Sequence, residues 1–445
     1  MTTPHSAHSS PLPPGRSGFP LIGETLSFLN DPDFATKRYK QYGNVFRTHL
    51  FGRPTIYLSG ADAVRFLLRN ENQYFAMSLP ASTKTLLGPA ALSMQHGSTH
   101  QNRRKLLAQA FQPRALASYV DTMMTITRSY LERWAQQETF TWYPQLRNYT
   151  LDIACQLIVG IESGSQTHFG EWFEFWTQGL FSVPLPLPGT KYGRALRSRK
   201  LLLGEIERIV RDRQQQATSG KDALGLLISA KDEEGNQLSV DELKDQVLTL
   251  LFAGHETLTS AIASFCLFMT QHPAVLGRIR AEQELFKHRE TLTLADLEQM
   301  KYLEQVLKEV LRVLPPVGGG FRDVIQPCEI NGYTIPKGWS VLYQIGLTHQ
   351  DSTHYPNPKQ FDPDRFDAAS KTQPFSYVPF GGGIRECLGK EFARLEMKIF
   401  AALLVRDYEW DLVPDQNLDL DMIPTPRPKD ELKVHFRRRT TVPMT

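Results

Sequence analysis

A glycine-rich loop near the C-terminal end reads Tyr377-Val378-Pro379-Phe380-Gly381-Gly382-Gly383-Ile384-Arg385-Glu386-Cys387-Leu388-Gly389. Beyond it, apolar residues recur at helical spacing at positions 388, 392, 395, 399 and 403, so Cys387 lies where a loop becomes an amphipathic helix. The free N–H groups and the positive dipole end of such a helix favour a thiolate over a thiol. The glycines permit a tight loop that brings backbone amides close to the sulfur. Arg385 adds a fixed cation near the cysteine.

The spacing within this loop excludes two kinds of binding site. A phosphate-binding loop is excluded because the step from Gly383 to Gly389 is too long for G-x-x-x-x-G-K, and because Glu391 stands where Ser or Thr is needed. A dinucleotide site is excluded because the loop contains no G-x-G-x-x-G. Two interpretations remain: a structural cysteine, or a thiolate ligand to haem iron with Arg385 on a haem propionate.

The pattern F-x-x-G-x-R-x-C-x-G, formed by Phe380, Gly383, Arg385, Cys387 and Gly389, resembles the haem-binding signature of the cytochrome P450 family. The resemblance implies that the cofactor is haem b and that Cys387 is its metal ligand. It also implies that Phe380 and Arg385 belong to the cofactor-binding residues. The implied fold is mainly α with a minor β region, one triangular domain with a long central helix over the haem.

Composition sets further bounds. The net charge of the 445 residues is +3, which makes no case for nucleic acid or an anionic membrane as a partner. The four cysteines lie far apart without a C-x-x-C pair, which argues against a disulfide framework or zinc site and favours a reducing compartment. No apolar run near the N-terminus could serve as a membrane anchor. We therefore expect a soluble cytoplasmic protein with a disordered segment over residues 1–10 and one domain over residues 11–445.

Local patterns predict several elements. Helices are expected over residues 31–42, 61–69, 194–215 and 302–314, and strands over residues 45–50 and 55–58. The pair Asn331-Gly332 predicts a hairpin turn between residues 328 and 344. Residues 75–99 have little periodicity and several turn formers, so they are predicted to form a loop.

A long helix is predicted to start at a capping box formed by Ser239 and Glu242 and to run to about Thr270. Ala253-Gly254-His255-Glu256-Thr257 lies in its middle. A zinc-protease motif H-E-x-x-H is excluded because Thr259 replaces the second histidine. An ordinary threonine in a buried helix is the alternative to a catalytic one.

The same five residues resemble the oxygen-activation motif of cytochrome P450. The resemblance implies that Gly254 lets the helix pass close to haem and substrate, and that Thr257 and Glu256 are catalytic residues that manage protons. Leu258 departs from the family, which often has a Thr or Ser there, so Thr257 has no hydroxyl neighbour at that position.

Four more basic residues are implied partners of the haem propionates: His100, Arg104, Arg322 and His349. His100 and Arg104 have the spacing at which the family usually shows Trp-x-x-x-Arg, and positions i and i+4 share a helix face. The alternative, a solvated basic face, is assigned to Arg103 and Lys105.

Glu309 and Arg312 resemble the E-x-x-R motif of the family, and Arg365 resembles its partner. The resemblance implies a buried Glu–Arg–Arg cluster with a structural role. Taken alone, Glu309 and Arg312 would be a surface pair at helical spacing.

Candidate substrate contacts come from the loop over residues 75–99, from an aromatic cluster before the prolines at 184–188, and from positions expected along the haem. Aromatic residues at such density are otherwise most often core. The candidates are Lys84, Leu86, Phe175, Trp176, Phe181, Gly254 and Val317. Lys84 is the expected partner of a substrate carboxylate.

Residues 79–88, 315–322, 330–339 and 380–385 are similar to the retinoic acid hydroxylase branch of the family, including its soluble cyanobacterial member. The resemblance implies a haem-thiolate monooxygenase that uses molecular oxygen to hydroxylate retinoic acid or a related retinoid or apocarotenoid. Fatty acids or sterols are alternative substrates, and a haem-binding sensor or carrier without turnover is an alternative function.

No flavin or iron–sulfur segment is fused to the chain, so a ferredoxin-type donor with its reductase is the expected electron source. Basic residues near the cysteine are expected to dock it through their charge: Lys390, Arg394 and Lys398.

Overall fold

The computed structural model describes residues 10–216, 220–370 and 372–439. Helices hold 55% of the residues and strands 13%, so the fold is mainly α with a minor β part, as predicted. The helices are α1 (Thr25–Asn30), α2 (Phe34–Tyr42), α3 (Ala61–Arg69), α4 (Ala81–Leu87), α5 (Gly97–Ala108), α6 (Pro113–Gln137), α7 (Trp142–Ala154), α8 (His168–Gly179), α9 (Lys191–Gln216), α10 (Ala223–Ser229), α11 (Val240–Gln271), α12 (Pro273–Gln283), α13 (Leu294–Gln299), α14 (Lys301–Val313), α15 (Ile345–His349) and α16 (Lys390–Asp407).

The strands are β1 (Val45–Leu50), β2 (Arg53–Leu58), β3 (Phe75–Met77), β4 (Thr139–Thr141), β5 (Gly319–Val324), β6 (Cys328–Ile330), β7 (Tyr333–Ile335), β8 (Ser340–Gln344), β9 (Tyr408–Leu412), β10 (Leu420–Asp421), β11 (Arg427–Pro428) and β12 (Lys433–Arg438).

The described residues form two compact units. The first lies within residues 1–79, 317–360 and 369–387, and the second within residues 80–316, 361–368 and 388–445. This division does not test the prediction of one domain over residues 11–445. Of the segment predicted to be disordered, residues 1–9 lie outside the described residues. Ser10 is described, and its hydroxyl donates to Glu329 Oε2 at 2.7 Å.

The first unit is built on a five-stranded sheet with the order β1-β2-β8-β5-β3. Strands β2 and β8 are parallel, whereas the other neighbouring pairs are antiparallel. The buried face of α3, with Val64, Leu67 and Leu68, belongs to the same apolar core as Ile56 and Val341 of the sheet. Because Leu68 is in this core, packing against the sheet fixes the C-terminal end of α3.

Local sequence signals in this unit are confirmed. Helix α3 has the predicted bounds, and α2 ends where Gly43 takes a φ of 85°. The hairpin turn joins β6 and β7, with Asn331 and Gly332 both at positive φ. The loop predicted over residues 75–99 is wrong in part, because β3 and α4 lie inside it. Helix α4 is too short for its periodicity to stand out in the sequence.

The second unit is organised around α11. The predicted capping box is confirmed: the Ser239 hydroxyl accepts from the Glu242 N–H, and the Glu242 carboxylate accepts from the Ser239 N–H. Helix α11 packs against α7, α9, α14 and α16. Among the described residues it is the one helix long and apolar enough to cross a membrane, but 72% of its most apolar window is buried in the protein. A buried core helix passes the same test, so this is weak evidence for a span.

Trp134 of α6 lies at the centre of an aromatic cluster that joins helices to the small sheet β4-β12-β9. Its ring contacts Trp142 at 5.9 Å, Tyr149 at 6.5 Å and Phe400 at 6.2 Å between centroids. Pairs at these separations add to the stabilisation from burial alone. The cluster fixes α6, α7 and α16 against one another, and α7 and α16 in turn pack on α11.

A buried carboxyl lies inside this packing. Glu396 of α16 is 1% exposed, and its Oε1 has no hydrogen-bond partner among the described residues. Burial raises the pKa of Glu396 well above its ordinary value. Burial also raises the pKa of Tyr149, and the nearby Glu396 raises it further. Burial therefore favours the protonated form of Glu396.

We expect Glu396→Gln to stabilise the protein increasingly as pH rises. The unfolded chain loses this proton near its ordinary pKa of about 4.3, whereas the native state keeps it. The stabilising contribution of this proton is therefore complete below that value. It is lost progressively as pH rises towards the pKa of Glu396 in the folded protein. The gain of the variant over wild type should therefore grow as pH rises from 5 to 8.

Urea denaturation followed by circular dichroism at several pH values measures this difference. Glu298→Gln is the matched control, because Glu298 is exposed on α13. Parallel stability curves for the Glu396 and Glu298 variants would mean that Glu396 is ionised in the native state.

Candidate functional site

The loop around Cys387 is held by its backbone. The Cys387 N–H donates to the Phe380 carbonyl at 2.9 Å, and Gly383 takes a φ of 66°. A Cβ built on Gly383 would lie 2.2 Å from the Leu68 carbonyl oxygen, so no side chain fits there. Cys387 is exposed and comes shortly before Gly389, the N-cap residue of α16. The loop thus presents the thiol at the start of a helix, as the sequence predicts.

Two of the arginines predicted to bind propionates are brought together by a residue that sequence analysis missed. Glu71 Oε1 accepts from Arg322 Nη2 at 2.6 Å and from Arg322 Nε at 2.9 Å. Glu71 Oε2 lies 2.9 Å from Arg385 Nε. All three side chains are at least nine-tenths buried. Glu71 belongs to no motif, and only its position beside α3 could have indicated it.

His349 is buried in the same unit. Its Nε2 accepts from the Val378 N–H at 2.8 Å, and its ring stacks on Tyr377 at 5.4 Å. Because Nε2 is the acceptor, the proton is on Nδ1. The propionate contact of His349 stays a prediction.

Helix α5 places His100 and Arg104 on one face, one turn apart. His100 is buried, whereas Arg104 is half-buried and forms no hydrogen bond or ion pair with a described residue. The basic neighbours predicted to be merely solvated are instead paired: Arg103 lies 2.5 Å from Glu242, and Lys105 lies 2.7 Å from Glu233. Arg104 is thus the cation of this helix that is available to an anion.

The middle of α11 has one open face. Most of its residues from 243 to 269 are buried, but Ala253 is exposed and Thr257 is half-buried. A Cβ built on Gly254 would meet no atom within 4 Å. The Thr257 hydroxyl donates to the Ala253 carbonyl at 2.7 Å. This threonine thus bonds to the backbone carbonyl one turn earlier, on the side of the helix that the second unit leaves uncovered.

Glu256, the predicted proton carrier, is tied to a residue that the motif does not contain. It is 4% exposed, and its Oε1 accepts from Arg147 Nη1 at 2.8 Å. Arg147 Nη2 donates to Glu174 at 2.6 Å. Burial lowers the pKa of Arg147, but the two carboxylates more than offset this and leave the pKa above its usual value. Burial raises the pKa of Glu174, and Arg147 more than reverses this effect.

These groups border a groove of about 780 Å³ that opens to solvent, lined by Arg147, Glu174 and His255 among others. His255 Nδ1 lies 2.8 Å from the Thr150 hydroxyl. Burial, and then the charge of Arg147, lower the pKa of His255 well below its usual range, so its ring is neutral at physiological pH. Solvent thus comes close to Glu256 from the side of α7 and α8.

The candidate substrate residues do not all share one surface. Trp176 and Leu86 are fully buried, and the Trp176 Nε1–H donates to the Leu86 carbonyl at 3.0 Å. Arg194 lies over the half-buried ring of Phe175, and Phe181 is 50% exposed. In the second unit Lys84 is exposed on α4, and in the first unit Val317 is 42% exposed. Substrate contact by any of them stays a prediction.

The residues of the predicted structural cluster are brought together. Arg312 donates to Glu309 at 2.6 Å and 2.8 Å, and Arg365 Nε lies 3.5 Å from Glu309 Oε1. The Asp362 N–H also donates to Glu309 at 2.8 Å. Glu309 and Arg312 are fully buried, so the alternative of a surface pair is wrong. Breaking such a buried pair leaves an uncompensated charge and costs about 3–5 kcal/mol.

The basic residues expected to dock an electron donor are partly neutralised. Arg394 lies 2.7 Å from Glu304 and Lys398 lies 3.1 Å from it, and the Lys398 side chain is 12% exposed. Burial raises the pKa of Glu304, but the surrounding lysines outweigh this and lower it to about 2. The carboxylate is therefore charged, and the expectation of a simple basic surface at Arg394 and Lys398 is not supported.

The residues present fit a haem. An exposed thiol at a helix start is a suitable iron ligand, and guanidinium groups suit carboxylates. In the first unit, Arg322 and Arg385 place two guanidinium groups around the carboxylate of Glu71. In the second unit, Arg104 is a further cation, and the open face of α11 bears the small residues Ala253 and Gly254.

Comparison with known proteins agrees with this chemistry. The sequence model of the family described as Cytochrome P450 matches residues 13–434. Cytochrome P450 120 of Synechocystis sp. is 52% identical over 437 residues, covering 98% of each chain. Cytochrome P450 26B1 of Homo sapiens is 37% identical over 446 residues, covering 96% of this chain and 86% of that protein.

A solved structure described as retinoic acid bound cyanobacterial CYP120A1 has a TM-score of 0.92 and 52% identity, covering 97% of this chain and all of that one. The family match over residues 13–434 includes the loop around Cys387 and the middle of α11. This chain belongs to the cytochrome P450 family and is a monooxygenase with haem b as its cofactor.

Proposed function

We propose that this monooxygenase hydroxylates retinoic acid or a related retinoid or apocarotenoid. The observation that carries the proposal is the likeness to CYP120A1, whose structure contains bound retinoic acid, at 52% identity over almost the whole chain. The resemblance of residues 79–88 and 315–322 to retinoic acid hydroxylases supports it. Such a substrate is a long apolar molecule with one carboxylate, so its site needs an apolar lining and one cation.

Bound haem supplies the oxidising power, with molecular oxygen as the oxidant. In the proposal Cys387 holds the iron as a thiolate, which the start of α16 stabilises. The propionates would be bound by Arg322, Arg385 and Arg104, with His100 and His349 as further hydrogen-bond donors. Phe380 would also belong to the cofactor-binding residues. The protein thereby fixes the orientation of the haem and excludes water from its surroundings.

Thr257 and Glu256 have different parts in proton delivery. The Thr257 hydroxyl is held by the Ala253 carbonyl at 2.7 Å, so its own proton is directed to the backbone and its lone pairs can accept from a donor. Glu256 must first exchange its bond to Arg147 for a bond to water or to a neighbouring group. The solvent-open groove at Arg147 is the proposed source of these protons.

Electrons come from a separate donor, for which we propose a ferredoxin with its reductase. Because Glu304 offsets part of the positive charge of Arg394 and Lys398, the donor would meet a weaker positive field there than the sequence predicts. The proposed location is the cytoplasm, which the free state of all four cysteines supports.

We expect all-trans retinoic acid to cause a saturable low-spin to high-spin shift of the ferric protein at micromolar concentration. The shift follows if the ligand displaces water from the iron. Absorption titration measures it, with palmitic acid and cholesterol as comparison ligands. A shift with either comparison ligand but none with retinoic acid would contradict the retinoid proposal and leave the enzyme class unchanged.

Thr257→Ala is expected to lower product formed per electron consumed by at least about tenfold, since positioned proton transfer typically contributes about 10²–10⁴-fold. Haem content and substrate affinity should change little. Thr249→Ala is a matched control, because Thr249 makes the same bond on α11, donating to the Asp245 carbonyl at 2.7 Å. Equal coupling in the Thr257 and Thr249 variants would show that Thr257 has no part in proton delivery.

Lys84→Ala is expected to weaken binding of retinoic acid by no more than about fivefold, because exposed ion pairs contribute at most about 1 kcal/mol. Binding of retinol, which lacks the carboxylate, should stay unchanged. The spectral titration of both ligands measures this, with Lys200→Ala of α9 as an exposed control. An equal loss for the two ligands would contradict the assignment of Lys84.

A further inference from the structure

Glu71 lies outside every motif, yet it touches both arginines that the first unit offers to a haem. It comes just after α3, and its carboxylate is 1% exposed. One oxygen binds Arg322 through two N–H groups at 2.6 Å and 2.9 Å. The other oxygen is 2.9 Å from Arg385 Nε. A single carboxylate therefore joins a strand of the sheet, β5, to the loop that bears Cys387.

The remaining contacts of Arg322 leave it little freedom. Its Nη1 donates to the Phe321 carbonyl at 2.9 Å, and Tyr343 lies against its guanidinium at 5.3 Å. With Nε and Nη2 on Glu71, each nitrogen of this side chain has a partner. The orientation of Arg322 is thus decided by Glu71 and the backbone of β5.

Charge gives Glu71 a second effect. Two buried guanidinium groups without a counter-ion would repel each other and carry the desolvation cost of two cations. The carboxylate removes one of the two positive charges and brings the arginines to a fixed separation. The three side chains together carry one net positive charge.

We propose that Glu71 is a positioning residue for the haem: it sets the orientation of Arg322 and Arg385 and the net charge that they present to the propionates. The inference rests on the proposed function, in which these two arginines bind the haem. Glu71 acts through the arginines and is not itself a catalytic residue.

The test is the midpoint potential of the haem iron in the holoprotein, measured by spectroelectrochemical titration. Glu71→Gln keeps the shape of the side chain and removes its negative charge. The added net positive charge favours the reduced iron, so the ratio of reduced to oxidised protein at a given potential should rise by about tenfold, equal to about 59 mV for one electron. A merely structural residue would not move the potential in this direction.

Glu24→Gln is the matched control. Glu24 is a buried carboxylate of the same unit, 4% exposed, and it also binds two arginines, Arg16 at 2.8 Å and Arg38 at 2.5 Å. Neither arginine is a predicted haem partner. An equal shift in both variants, or no shift in Glu71→Gln, would overturn the proposal.

A double variant distinguishes an effect of charge on the midpoint potential from an effect of damage to the fold. Glu71→Gln combined with Arg322→Gln restores the net charge of the cluster, so its potential should return towards wild type, whereas added damage would move it further away. If Glu71→Gln alone does not hold haem, the single variant Arg322→Gln tests the proposal instead. Loss of this cation should lower the midpoint potential, and an unchanged potential would overturn the proposal.

The absorption spectrum of the reduced protein with bound carbon monoxide shows whether the proposed haem site is wrong or only the role of Glu71. A wild-type protein without the signature of thiolate ligation overturns the proposed site and, with it, the role of Glu71. Intact thiolate ligation with an unchanged potential in Glu71→Gln overturns the role of Glu71 alone.

Discussion

A charge inside a protein persists only if an opposite charge or several hydrogen bonds compensate it, and three sites in this structure depend on that constraint. Glu24, Glu71 and Glu309 are each buried, and each is bound by two arginines. In each case one carboxylate fixes two arginine side chains, and at Glu71 these come from distant parts of the sequence. These clusters hold the N-terminal segment to its sheet, the cysteine loop to β5, and α14 to the segment after it.

The same constraint applies to Glu256, the acid in the middle of α11. Glu256 does not lie free beside Thr257, since Arg147 of α7 holds its carboxylate and Glu174 of α8 competes for the same guanidinium. Glu256, the proposed proton carrier, is thus part of a network of three helices. In that proposed role, Glu256 could transfer a proton only after its bond to Arg147 is broken, and the solvent-open groove beside the network would let water replace that bond.

Short-range features were predictable from the sequence because their physical cause is local. The capping box of α11, the turn at Asn331-Gly332 and the bounds of α3 each depend on a few neighbouring residues. The cysteine loop was recognisable for the same reason. Glu71 was not, because its partner Arg322 is 251 positions away in the chain. Arg147 and Glu304 were missed likewise, since a pairing through space leaves no mark on local spacing.

The close approach of Gly383 to the Leu68 carbonyl has a consequence for protein engineering. Residues 68–71 meet residues 383–385 at two points, one steric and one ionic, and both are lost if either segment changes length by a single residue. The cysteine loop therefore cannot be grafted by itself onto another protein without losing these contacts. A chimera that receives residues 377–389 from this chain would keep both contacts only if it also received residues 61–71 or an equivalent segment.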